Sequence, residues 1–299
     1  MRGSITSIAL GCGLAFGLCN GAAALERGIV PFPAGAAGTN IARLPPVPGL
    51  FMLQQFSYAD ADNTYGDNGK PLPVPFHTTA LAETTRLMAS YPMLLWGAHL
   101  YSQLVLPVVK LDADIAHVDT RQTALGNVTV SPAILQWSVT PELAVAAAVD
   151  LTFRSGAYTP IRPSVAFGYF STQPLVAIRY AVPNGPEVGI TNRFIFNNRN
   201  SDTDYRSGNT YVGEFLANWT FDHWKLGVVG SYVDQFSDDR QHGASVPLNG
   251  NRARALSGGP SVLYEGKGYS VGVNYQPGVT AHNMPKTDRM WLNFAFRLF

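Results

Sequence analysis

Apolar and polar residues alternate with period two along most of this chain, and the last residues show the pattern most plainly. Met290, Leu292, Phe294, Phe296 and Leu298 fall on one face of an extended strand, with Arg289, Asn293 and Arg297 on the other. The same alternation marks segments at about 49–59, 80–91, 96–108, 127–138, 143–153, 164–172, 175–182, 187–197, 209–219, 223–235, 254–264, 268–276 and 289–299. Pro174 cannot donate to a β-ladder, and it interrupts a run that reads equally well as one long strand over 164–182. Joining that run gives about 12 strands, the even number expected of a single-chain bacterial barrel.

The connections then alternate in length. Short ones fall at Tyr91-Pro92-Met93, Thr140-Pro141-Glu142, Asn184-Gly185-Pro186, Thr220-Phe221-Asp222 and Glu265-Gly266-Lys267, and long polar ones near 60–79, 109–126, 154–163, 198–208, 236–253 and 277–288. Short periplasmic turns alternating with long external loops, with both termini on the periplasmic side, is the transmembrane β-barrel arrangement. The strand faces agree. Tyr211, Phe215, Ala217 and Trp219 oppose Glu214 and Asn218; Trp224, Leu226, Val228 and Tyr232 oppose Lys225 and Gln235; Tyr269, Val271, Val273 and Tyr275 oppose Ser270, Asn274 and Gln276. Aromatic residues bracket the aliphatic ones, as membrane-interface girdles do. The sequence therefore predicts an all-β, antiparallel transmembrane β-barrel whose terminal strand pairs with the first, leaving no edge in lipid. Phe299 is out of phase with the apolar face, so the aromatic terminus read by the barrel assembly machinery is imperfect.

The N-terminus supplies the compartment. Met1-Arg2, the apolar stretch Ile5–Leu18 and an A-x-A site at Ala22-Ala23-Ala24 read as a secretory signal peptide over residues 1–24. Both cysteines, Cys12 and Cys19, lie within it, so the exported chain has no thiol for a disulfide or a thiolate metal site. Loss of Arg2 leaves 20 of the 21 basic residues against 20 acidic ones, which gives no basic surface for nucleic acid. The longest apolar run, Leu143–Phe153, is too short for a spanning helix and is cut by Asp150. Residues 25–48 have no strand period and end in Pro45-Pro46-Val47-Pro48. They read either as a periplasmic tail with a polyproline spacer or as a plug or gate folded into the lumen. The barrel is assigned residues 49–299.

Ionisable side chains on barrel strands are expected to face inward, because a midplane Arg or Lys facing lipid costs about 2–4 kcal/mol. The lumen-lining candidates are Arg86, His99, Gln103, Asp150, Arg179, Arg193, Glu214, Lys225 and Arg297. They form either ion pairs that fill a narrow interior or a polar constriction for a solute. Nothing points to catalysis or to a cofactor. His99 and Ser102 lie on opposite faces of a strand, there is no G-x-S-x-G or H-E-x-x-H, and His77, His117, His223, His242 and His282 are scattered. Asp60, Asp62 and Asp67 could gather calcium but lack the closing Glu of an EF-hand loop, and a solvated or lipopolysaccharide-facing loop fits them better.

Several spaced residues carry a family resemblance. Asn200, Thr203, Tyr205, Ser207 and Gly208 form N-x-x-T-x-Y-x-S-G; Gly250, Arg252, Gly259, Pro260 and Tyr264 form G-x-R…G-P-x-x-x-Y; Gly156, Tyr158 and Pro48-Gly49 accompany them. Together they resemble the outer-membrane β-barrel proteins associated with the phenol meta-cleavage pathway and often called transporters, over nearly the whole exported chain. The resemblance implies a Gram-negative outer-membrane barrel for uptake of small hydrophobic or aromatic compounds, with outer-membrane lipid and lipopolysaccharide around it. Departures at Arg154-Ser155-Gly156-Ala157-Tyr158 and Gly126-Asn127, and the lack of an N-x-G-x-N element after residue 158, leave the solute open. The alternatives are a structural or surface-recognition barrel without transport, or a lipid-modifying barrel enzyme.

Overall fold

A computed structural model describes residues 25–299 except Ile29 and Leu248; the expected leader, with Cys12 and Cys19, lies outside the described residues. The strands are β1 (Gly49–Ala61), β2 (Phe76–Leu95), β3 (Ala98–Ile115), β4 (Val118–Leu125), β5 (Thr129–Ser138), β6 (Leu143–Thr152), β7 (Ser171–Ala181), β8 (Pro186–Asn197), β9 (Tyr205–Arg206), β10 (Thr210–Phe221), β11 (Trp224–Gln235), β12 (Arg240–Gln241), β13 (Ala244–Ser245), β14 (Arg254–Gly266), β15 (Tyr269–Gln276), β16 (Gly278–His282) and β17 (Asp288–Arg297). β4 and β5 are two lengths of one barrel strand, parted at 126–128. β15 and β16 are likewise parted at Pro277, whose missing N–H breaks the ladder. The short β9, β12 and β13 form a separate sheet in the loops, and the remaining strands close a 12-strand antiparallel barrel.

Closure occurs where the sequence requires it. β17 pairs with β1 from Phe51↔Arg297 to Asp60↔Asp288, and Leu50 donates its N–H to the Phe299 carbonyl at 2.9 Å. Side chains sort by parity: Phe215, Trp219, Trp224, Leu226, Val228, Tyr269, Val273 and Tyr275 face outward, while Glu214, Asn218, Lys225, Gln235, Ser270, Asn274 and Gln276 are buried inside. A closed antiparallel barrel with such an apolar belt and no free edge spans the bacterial outer membrane, since its ladders pair the wall's amides with one another apart from local breaks such as those at Pro92 and Pro277.

Four expectations are corrected. Tyr91-Pro92-Met93 is a bulge in β2 rather than the turn: Pro92 interrupts the ladder, pairing resumes at Leu94↔His99, and the chain reverses at Trp96-Gly97, whose φ values of 53° and 76° suit a tight hairpin. Residues 164–170 are not strand. Ala166, Phe167, Gly168 and Tyr169 are buried consecutively, which alternation in a wall forbids, and β7 begins at Ser171. The described chain does not start on the periplasmic side, because Leu25 lies among Ala253, Ala281 and Met284 at the long-loop end. Finally, Glu83 faces outward, exposed, and is tied to Gln54 at 2.8 Å, which in turn accepts from Thr85 at 2.9 Å; these bonds offset the cost of its exposure.

Candidate functional site

Residues 25–48 run inside the barrel from the long-loop end to the short-turn end. The segment is rich in Gly, Ala and Pro, so it is slim enough for a narrow lumen, and it forms no strand, so its peptide groups need partners from the wall. Glu214 Oε1 accepts the N–H groups of Gly35 at 3.0 Å and Ala37 at 2.9 Å. Gln276 donates to the Gly35 carbonyl at 3.1 Å, Gln55 to Ala36 at 3.0 Å, Gln136 to Ala42 at 3.3 Å and Tyr101 to Pro45 at 2.9 Å. Gly35 has φ +95° and a Cβ there would lie 2.5 Å from Gln276 Oε1, so only glycine fits. Ile41 and Ala42 pack on Ala146, Ala177, Leu216 and Val229 inside the wall. At the far end the Glu26 carboxylate accepts from Tyr158 at 3.0 Å, Asn200 at 2.8 Å and Thr203 at 2.7 Å.

Two charge networks brace this arrangement. At the short-turn end Glu187 accepts from Arg179 at 2.6 Å and Lys225 at 2.7 Å; Lys225 also reaches Glu265 at 3.3 Å, and Glu265 pairs with Arg43 of the inner segment. Higher up, Arg193 meets Asp150 at 2.7 Å and Gln173 at 2.9 Å, Ser131 donates to Asp150 at 2.5 Å, and the Arg193 guanidinium lies 3.9 Å from the Phe32 ring centroid. Arg86 is half-buried beside them and donates to Gln55 at 3.2 Å and Gln103 at 3.0 Å.

Of the residues expected to line the lumen, Gln103, Asp150, Arg193, Glu214 and Lys225 are buried there, and Arg86 and Arg179 are partly so. His99 and Arg297 are exposed at the short-turn rim, where Arg297 donates to the Pro48 carbonyl at 3.1 Å. Sequence reading missed Glu187, Glu265 and Gln173. Their strand parity marks them as inward, but nothing local distinguishes them from turn and strand polar residues.

Between the inner segment and β1–β3 lies a chamber of about 400 Å³. One side is apolar: Phe32, Ala82, Val105, Val109, Phe167 and Trp291 line it. Arg86, Gln103, Asp150 and Arg193 supply its polar side. Among the described residues no three His, Cys, Asp or Glu side chains converge on a metal-sized point. Asp62 is instead tied to His77 at 2.7 Å and Asp67 to Asn283 at 3.3 Å.

The family model described as "Putative MetA-pathway of phenol degradation" matches residues 61–294. The chain belongs to this family. No curated protein matches it. Among solved structures, the COG4313 outer membrane channel from Pseudomonas putida F1 is similar at a TM-score of 0.75 and 15% identity, over 85% of this chain and 96% of that one, so the family barrel shares that fold. The toluene transporter TbuX of Ralstonia pickettii aligns more loosely, at a TM-score of 0.48 and 11% identity over 93% and 99% of the two chains, and nothing further rests on it. In this family member the residues of the N-x-x-T-x-Y-x-S-G element, with Tyr158, gather around the start of the inner segment. Asn200 and Thr203 hold Glu26, Ser207 accepts the Glu26 N–H at 2.9 Å, and Tyr205 and Gly208 flank Leu25 through Asp239.

Proposed function

We propose that the protein is an outer-membrane channel for passive uptake of small hydrophobic or aromatic compounds, with residues 25–48 as its plug and residues 49–299 as the conducting barrel. The observation behind this reading is the half-apolar chamber inside the barrel, with Arg86, Gln103, Asp150 and Arg193 along its polar side. An apolar cavity of about 150 Å³ accommodates benzene, so the chamber volume of about 400 Å³ suits one or two single-ring molecules. Arg86, Gln103, Asp150 and Arg193 would meet a ring hydroxyl on the polar side, while Glu214, Arg179 and Lys225 hold the plug. His99 and Arg297 stand at the exit rim. The plug and its networks close the way below the chamber, so passage requires the plug to shift, and solute then leaves down its gradient without a cofactor.

Binding of labelled phenol and toluene to purified, folded protein, measured by equilibrium dialysis, tests the reading. Saturable binding abolished by Ala82→Trp, which fills the chamber, is expected, and no binding of small sugars. Absence of saturable binding in the wild type would remove it. The filled lumen also favours a second reading, a structural or surface-recognition barrel that conducts nothing. Liposome swelling with and without residues 25–48 separates the two, since a plugged channel swells faster when its plug is deleted. A lipid-modifying activity has no such support: His99 is exposed at the rim, and Ser102 points the other way, 2.8 Å from the Tyr91 hydroxyl.

A further inference from the structure

The carboxylate of Asp239, in the long loop after β11, is fully buried, and among the described residues the groups that donate hydrogen bonds to it are neutral. Oδ1 takes the Gly208 N–H at 2.7 Å and the Gln235 amide at 2.9 Å. Oδ2 takes the Tyr205 hydroxyl at 2.7 Å, the Leu25 N–H at 2.7 Å and the Asn251 amide at 3.5 Å. Among the described residues no Lys, Arg or His pairs with it, unlike Glu187 or Asp150. A buried carboxylate without a counter-charge is costly, and burial pushes the Asp239 carboxyl up to about 6 while Leu25 contributes only an amide.

Leu25 itself follows Ala22-Ala23-Ala24, the small-residue site at which a leader peptidase would cut. Its φ is +60°, a left-handed conformation that a leucine inside a chain adopts only at a cost. A residue with no predecessor has no such restriction. Its side chain is nevertheless fully buried against Ala253, Ala281 and Met284, so residue 25 is read by a pocket as well as by a carboxylate.

We propose that Leu25 is the first residue of the exported protein and that its α-ammonium is the missing cation of Asp239, so that removal of the leader creates an internal latch fixing the top of the inner segment. Hydrolysis of the Ala24–Leu25 amide adds water across the bond: hydroxyl goes to the Ala24 carbonyl and protons to the Leu25 nitrogen, which takes up the positive charge. The site is a buried ammonium pocket built from Asp239, Tyr205, Gln235 and the Gly208 amide, and its ligand is the chain's own amine. The latch depends on the position of Leu25 and not on whether the lumen conducts.

Protein purified from outer membranes tests this directly. Intact mass should place the N-terminus at Leu25. Acetylation at neutral pH, read on the N-terminal chymotryptic peptide, should modify the α-amine at least about tenfold more slowly in the folded barrel than after heat unfolding, because reaction needs local opening. Asp239→Asn should remove most of that protection while heat-modifiable migration shows the barrel intact. If that variant does not fold, a glycine inserted between Ala24 and Leu25 moves the amine off the carboxylate and should give a rapidly acetylated terminus. A different N-terminal residue, a wild-type amine as reactive as in the unfolded chain, or full protection in a folded variant would each overturn the proposal.

Discussion

Glu214 offers the sharpest test of how the inner segment is held. Its Oε1 accepts two backbone N–H groups, from Gly35 and Ala37, in a fully buried setting. Glu214→Ala leaves both donors unpaired. An unmade bond of this kind costs about 1–3 kcal/mol, so two give a loss of about 3 kcal/mol even after some relaxation, which is about a hundredfold at 1.4 kcal/mol per decade. A chain beginning at Leu25 contains no cysteine, so Ala36→Cys, at a buried plug position, provides a single reporter thiol. A charged thiol reagent should label it about a hundredfold faster with Glu214→Ala than without. Glu214→Gln, which keeps an acceptor oxygen but not the charge, should fall between, near tenfold. Labelling in Glu214→Ala within about threefold of the parent, with the parent protected, would show that packing of Ile41 and the other side chains holds the segment and that these bonds do not.

Other outcomes follow from the same contacts. Glu187→Gln leaves the buried Lys225 with only Glu265 as a charged partner and takes the carboxylate from the partly buried Arg179, and should destabilise the barrel by about 3 kcal/mol, read as a lower temperature for loss of the folded band; an unchanged temperature would contradict it. Gly35→Ala meets both the positive φ and Gln276, so it should loosen the reporter thiol at position 36 without lowering that temperature, and a protected thiol would refute the fit. Beyond the lipid band, the hydrogen bond to Asp62 holds the His77 imidazole above its usual 6.5. The tie is therefore complete below pH 6.5 and is lost as pH rises through the raised value. NMR titration should show the elevated midpoint, and Asp62→Asn should return it toward 6.5.

The wall was readable because each strand is tested against lipid on one side and polar lumen on the other, so parity alone places Phe215 outward and Glu214 inward. Errors arose where a local cue competed with the ladder. Pro92 looks like a turn but is absorbed by a bulge, and the 164–170 run alternates weakly but is buried at four consecutive residues, 166–169. Glu83 broke the inward rule because Gln54, distant in sequence and itself held by Thr85, supplies its partner.

The order of residues was enough for the barrel, its strand number, its long-loop and short-turn ends and the band that meets lipid, since these follow from periodicity and turn chemistry within each hairpin. It left residues 25–48 undecided between tail and plug, because a segment of Gly, Ala and Pro has no periodicity and the partners that hold its first half include Glu214, Asp239, Asn200 and Thr203, each more than 170 residues away. Only the closed barrel brings those groups around one axis. The course of the inner segment, the pairing of Glu187 with two cations and the chamber beside Phe32 were decided there, where unpaired peptide groups and charges excluded from water had to find one another.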